Sequence, residues 1–243
     1  MHMKDQKLRA SSASTRIFLL SPADIAGIRA ARIIHDSADS ELARRLRGKG
    51  APLGEVFSFI SGLYFRGKWA YAQKFAEVPY LGPSVFVITA RGGLVPPETL
   101  VTLDRLKEIS SIDIDPTDAS YLAPLQRDSR ILSELSGAAA QIVLLGSIAT
   151  SKYAEPLLGL FGERLFFPAE FAGRGDMSRG GLMLRCVQSG VQLTYLPLAN
   201  AVRHGPKPPK LPPLTRRPPQ PLGRKSEEGY GGLDSRGATA DGH

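Results

Sequence analysis

The sequence predicts a single α/β domain built on a mainly parallel sheet with helices on both faces, and three observations carry that expectation. Short unbroken apolar runs such as IFLL, VFVIT and IVLL alternate along the chain with longer stretches of helical periodicity. A strand covered on both faces needs no polar side, so its residues do not alternate in polarity. The runs end in small or polar residues, Ser21 and Pro22, then Arg91 and Gly92, then Gly146 and Ser147, as strand-to-helix connections do. A hydrophobic share of 42% over 243 residues is ample for one such core.

Taken in order, strands are expected over residues 16–20, 84–89, 141–145, 164–167 and 192–196. Helices are expected over 22–34, 40–47, 54–61, 68–76, 97–110, 124–136, 156–161 and 177–188. Ser21 opens the first helix as N-cap, with Pro22 at its first position and Asp24 as the acid of its first turn. Gly137 and Gly190 follow two later helix ends. Pro156 is expected to mark the start of its helix, because a proline ring is best tolerated in a first turn. Asp113, Asp115 and Asp118 read as a helix-entry turn, since they lack the ordered acceptors of a calcium loop. The arrangement is Rossmann-like. A flexible segment over 1–15 precedes the α/β domain over 16–202, and a disordered basic tail with eight prolines follows over 203–243.

The formal net charge of +8 is concentrated at the ends. Residues 1–16 carry four cations and one anion, residues 203–243 eight and four, and residues 17–202 nineteen and eighteen. A nearly neutral body argues against a broad DNA-binding face, permits a local basic pocket, and leaves nucleic acid as a partner for the tails. No apolar run approaches the roughly 20 residues that span a bilayer, so no membrane partner and no secretion signal are expected and the protein is placed in the cytoplasm. Cys186 is the sole cysteine, read as an inert core thiol, and the histidines are His2, His35, His204 and His243. That set is too small for a Cys/His zinc site, so no metal is expected, and no cofactor can be named.

Candidate chemistry gathers beyond the carboxyl ends of the strands, where open α/β sheets bind ligands. The segment FPAEFAGRGDMSRGGLMLR passes from an apolar run through Gly173, Arg174, Gly175, Asp176, Ser178, Arg179, Gly180 and Gly181 into a helix. Glycines let backbone N–H groups approach an anion, and two guanidinium forks can hold it. The structural alternative is that Asp176 caps the helix and the glycines serve turns and packing. In VLLGSIATSKY, Gly146, Ser147, Thr150, Ser151 and Lys152 form a hydroxyl-rich turn suited to phosphate or ribose. It is not a Walker A loop: Ser151 replaces the second glycine and Tyr153 the magnesium-binding hydroxyl. Arg91, Gly92 and Gly93 add a third turn. Glu55, Tyr64, Arg66 and Lys68 are interleaved with Phe57, Phe59, Phe65, Trp69 and Tyr71, either as core at helical spacing or as a wall that stacks a base.

These residues predict an enzyme that binds an anionic small molecule, a nucleotide, nucleoside or phosphorylated sugar, for N-glycosidic or phosphoryl chemistry. Arg174 and Arg179 would hold the anion, Gly146 to Lys152 the phosphate or ribose, and Asp176 or Glu55 would act as general acid or base. The alternative is a non-catalytic nucleic-acid-binding or oxidative-stress-response protein. Ser21, Pro22 and Ala23, then Gly62, Leu63 and Tyr64, then Gly93, Leu94 and Pro96 resemble the peroxide-stress response protein family over residues 1–105. The second half, with GSIATSKY and GRGDMSRGG, is similar to an uncharacterised bacterial α/β family with no assigned reaction. The resemblance implies a cytoplasmic bacterial α/β protein linked to nucleic acid or its damage, and it transfers no catalytic residue.

Overall fold

β1 (Arg16–Leu20) is the spine of the sheet, and its last four residues are fully buried. Alternation of side chains sends Ile17 and Leu19 to one face and Phe18 and Leu20 to the other, so the strand feeds two cores at once. Each such side chain contributes roughly 1.5–3 kcal/mol by leaving water. The computed structural model describes residues 15–77, 82–203 and 205–211. The basic segment 1–14 and the remainder of the Pro-rich tail, 212–243, both expected to lack structure, lie outside the described residues.

After β1 come α1 (Ile28–Ile34), α2 (Glu41–Arg47), β2 (Ala51–Pro52), α3 (Leu53–Ser61) and α4 (Leu63–Phe75). Then follow β3 (Val85–Thr89), β4 (Gly93–Val95), β5 (Leu100–Val101), α5 (Leu103–Ile109), α6 (Ala119–Ser136) and β6 (Gln141–Leu145). α7 (Ser151–Phe161), β7 (Leu165–Pro168), α8 (Asp176–Ser189) and β8 (Tyr195–Pro197) complete the series. The six-stranded sheet runs β4-β3-β1-β6-β7-β8, with β3, β1, β6 and β7 parallel and the two outer strands antiparallel. β1 and β6 pair along their whole length, from Arg16 beside Gln141 to Leu20 beside Leu145. From β1 the chain moves outward to β3, whereas from β6 it moves outward to β7 on the opposite side. The direction of winding therefore reverses between β1 and β6, which opens a crevice beyond their carboxyl ends.

One face of the sheet is covered by α1 to α5 and α8, the other by α6 and α7. β2 and β5 form a separate two-stranded ribbon. Among the described residues no helix is long and apolar enough to cross a membrane.

Several elements depart from the sequence expectation for identifiable reasons. α1 begins at Ile28 rather than at 22, because Ser21 is engaged elsewhere and Asp24 Oδ1 instead accepts from Ala26 N at 2.9 Å in a turn. The helix expected over 97–110 is confined to α5: Pro97 O and Thr99 O accept from Gly54 N and Leu53 N, and Thr102 caps the shorter helix by accepting from Arg105 N. α7 starts at Ser151 and runs through Pro156. The ring nitrogen of Pro156 cannot donate to Lys152 O one turn back, and the Tyr121 hydroxyl donates to that carbonyl instead, at 3.1 Å. The strand expected over 192–196 is the antiparallel β8, since Leu193 N is drawn off to the Tyr71 hydroxyl at 2.8 Å. The compact unit continues through Leu211, where Arg203 bonds to Glu155 and Pro206 O lies against Gly173.

Candidate functional site

Two clefts open on either side of the loop that follows β1, and Pro22, Ala23, Asp24 and Tyr153 face both. The first, about 460 Å³, lies where the winding reverses and takes Ser21 from the end of β1, Ser147 from the turn after β6, Tyr64 from α4 and Asp176 from the start of α8. Arg29, Ile28 and Ile60 complete its wall on the side of α1 and α3. The second, about 390 Å³, is lined by Thr89, Asp113 and Lys152.

The wall of the first cleft is organised by α4. Gly62, at φ 62°, joins α3 directly to α4 in a backbone conformation that side-chain-bearing residues rarely adopt. α4 then turns Tyr64, Phe65, Lys68, Tyr71, Ala72 and Phe75 inward at helical spacing. Lys68 is therefore fully buried, and its Nζ donates to Ser21 Oγ at 2.9 Å and to the Ser21 carbonyl. The Tyr64 and Phe65 rings lie 4.3 and 5.0 Å from the same nitrogen. Among the described residues no carboxylate stands within ion-pairing distance of it. Burial lowers the Lys68 pKa to about 7; Asp176 works against that shift and Arg179 with it. Burial likewise raises the Tyr64 hydroxyl, which makes no hydrogen bond of good geometry among the described residues, although Arg179 and Ser21 lie near enough to oppose the rise. Tyr153, across the cleft, is raised by burial too.

The residues expected from the glycine and arginine loop divide. Asp176, exposed at the start of α8, faces the cleft. Arg179 does not: it is buried, with Nε and Nη2 donating to Phe171 O at 3.3 and 3.0 Å, its guanidinium 5.3 Å above the Phe171 ring and 3.6 Å from Asp176 Oδ1. Arg174 donates to Ser178 Oγ at 3.2 Å and lines neither cleft. Gly175 precedes α8, and Gly173, at φ 68°, has Pro206 O where a side chain would stand. Gly180 is a packing residue beside Leu63 and Tyr64 of α4.

From the turn after β6, Ser147 reaches the first cleft and Lys152 the second. Gly146 keeps the backbone close to Ser21, Thr150 precedes α7 without a side-chain capping bond, and Ser151 is its exposed first residue. Arg91, Gly92 and Gly93 belong to the β3–β4 hairpin. Thr89 Oγ1 accepts from Gly92 N and donates to Gly93 O, and Gly93 has φ 69°. Glu55 lines neither cleft, because Arg45 holds both its oxygens at 2.8 Å. Asp118 caps α6 by accepting from Ser120 N, as a helix-entry turn requires.

Arg29 of the wall was not singled out in sequence; Ser21 was read as a helix cap, Tyr153 as a departure from the Walker pattern, and Lys68, which stands behind the wall, as one of a mixed aromatic and basic cluster. A lysine on the same helical stripe as two tyrosines and two phenylalanines was the available signal for Lys68. Among the described residues no group of three or more His, Cys, Asp or Glu side chains is placed to hold a metal ion. Comparison of the chain with protein-family models, curated proteins and solved structures found no match.

Proposed function

We propose that the chain is a Rossmann-like enzyme that binds a nucleoside, nucleotide or phosphorylated sugar in the cleft between the ends of β1 and β6. The observation that carries this reading is the position of the cleft at the reversal of winding, where α/β sheets take such ligands. Its volume, about 460 Å³, falls in the range of roughly 300–1,000 Å³ of small-molecule sites. Asp24 and Asp176 present carboxylates that accept from vicinal sugar hydroxyls, and Tyr153 with Ile28 and Ile60 supplies an apolar wall for a planar base. Arg29 is the one cation among the described lining residues, so the hydroxyl-bearing part of the ligand is recognised more strongly than its phosphate.

A thermal-shift screen of nucleosides, nucleotides and sugar phosphates tests the reading. Members of at least one class raise the melting temperature of the native protein, and Asp176→Asn weakens that response by roughly tenfold or more, in keeping with loss of a charge-assisted hydrogen bond. Absence of any shift from all three classes overturns it.

A further inference from the structure

We propose that Ser21 is a nucleophile with Lys68 as its general base, and that the substrate is an O-acylated sugar or nucleoside whose ester carbonyl Ser21 attacks. The identity of the alcohol rests on the function proposed above; the nucleophile does not. Ser21 borders the cleft at the end of β1, and Lys68 stands behind it, enclosed by protein, with Nζ 2.9 Å from the hydroxyl oxygen. That is the separation at which a base takes a proton from an attacking hydroxyl. The contact to the Ser21 carbonyl fixes the amine in this position.

A fully buried lysine that keeps its charge is ordinarily paired with a carboxylate. Among the described residues none stands within ion-pairing distance of Lys68, and the groups that face it are the Tyr64 and Phe65 rings from its own helix, the Ser21 hydroxyl and carbonyl from the turn after β1, and Asp176 and Arg179 from α8. Burial lowers its pKa to about 7, which brings the neutral amine needed as base within reach under ordinary conditions. Charge selects the electrophile. Asp24 and Asp176 outnumber Arg29 among the described residues of this wall, which disfavours an anionic phosphoryl group as the centre attacked by Ser21 while leaving a phosphate elsewhere on the ligand to Arg29; an ester carbonyl is neutral until it is attacked. The buried Tyr64 hydroxyl, held protonated by burial and without a well-made hydrogen bond among the described residues, is a donor beside the reacting groups.

The steps balance. Ser21 Oγ forms a bond to the carbonyl carbon while its proton passes to Lys68 Nζ. The tetrahedral intermediate collapses, the carbon–oxygen bond to the sugar breaks, and Lys68 returns the proton to the departing alkoxide. Water then attacks the acyl–Ser21 ester and gives a proton to Lys68; that proton passes to Ser21 Oγ as the carboxylic acid leaves.

The test is labelling of the full-length protein with a fluorophosphonate, in which the Ser21 Oγ–phosphorus bond forms, fluoride leaves and the proton goes to Lys68. Intact mass and peptide mapping are expected to place one adduct on Ser21, with a rate that rises through a midpoint near pH 7. Ser21→Ala abolishes the adduct, and Lys68→Met slows it by about 10²–10⁴-fold. The pH profile of the native protein needs no variant, so a misfolded Lys68→Met leaves the proposal testable. No adduct on Ser21 between pH 6 and 9, or a rate without that titration, overturns it. Turnover of p-nitrophenyl acetate through Ser21, with no effect of added nucleosides, sustains the nucleophile and rejects the proposed ligand class. Nucleoside binding with an inert Ser21 does the reverse.

Discussion

Gly67 of α4 and Gly180 of α8 meet backbone to backbone: a Cβ on Gly67 would stand 2.7 Å from Gly180 O, and one on Gly180 would stand 2.7 Å from Leu63 O. Neither contact can be relieved by rotating a side chain, because both obstacles are main-chain atoms. Gly67→Ala or Gly180→Ala is therefore expected to lower stability by about 1–3 kcal/mol as the helices are pushed apart. Urea denaturation measures it, and an unchanged midpoint for both variants would show that the helices do not cross this closely.

Lys68 gives the fold a distinctive dependence on pH. In the unfolded chain it holds its proton up to about pH 10.5 and in the folded one only to about 7. Between these values the unfolded state binds more protons, so stability rises with pH across that window. Burial raises Tyr64, Tyr71 (to about 12), Tyr121, Tyr153 and Tyr195 above the ordinary 10.0. Above pH 10 the unfolded tyrosines lose protons that the folded ones keep, and stability falls. Urea midpoints measured from pH 6 to 11 should trace a rise and then a fall, and Lys68→Met should remove the rising limb alone.

Arg179 and Arg174 separate by what they hold. Arg179→Ala leaves the buried Phe171 carbonyl without its two guanidinium donors and should cost about 1–3 kcal/mol. Arg174→Ala removes a single bond to Ser178 one turn away and should stay within about 0.5 kcal/mol. Equal losses in thermal denaturation would contradict this division.

Glu55→Gln breaks the paired contacts to Arg45 on the surface of α2 and α3, away from both clefts. It should leave ligand-induced thermal shifts and Ser21 labelling unchanged. A lost response in either assay would bring Glu55 back as an acid or base of the site.

The sheet interior was legible because burial on both faces forces a simple pattern: β1 and β6 occupy the residues that their apolar runs predicted. Boundaries set by long-range partners were not. Nothing near Pro156 announces that Tyr121 will satisfy the carbonyl it strands, and nothing near Ser21 announces a lysine from α4, so both were read by local rules of capping and first-turn proline. The glycine and arginine loop is a related case. Its arginines look like ligand donors in sequence, yet the Phe171 carbonyl and the Ser178 hydroxyl take their hydrogen bonds. Asp176 and Ser147 do line the first cleft, because position after a parallel strand predicts a place on the rim whatever the side chain bonds to.

The outer strands carry a consequence for how the molecule behaves among its copies. β4 and β8 are three residues each, and β8 ends in Pro197, which has no N–H to offer. An incoming strand finds too short a template at either margin to zip onto, which guards a sheet rich in valine, isoleucine and phenylalanine against edge-to-edge polymerisation at high concentration.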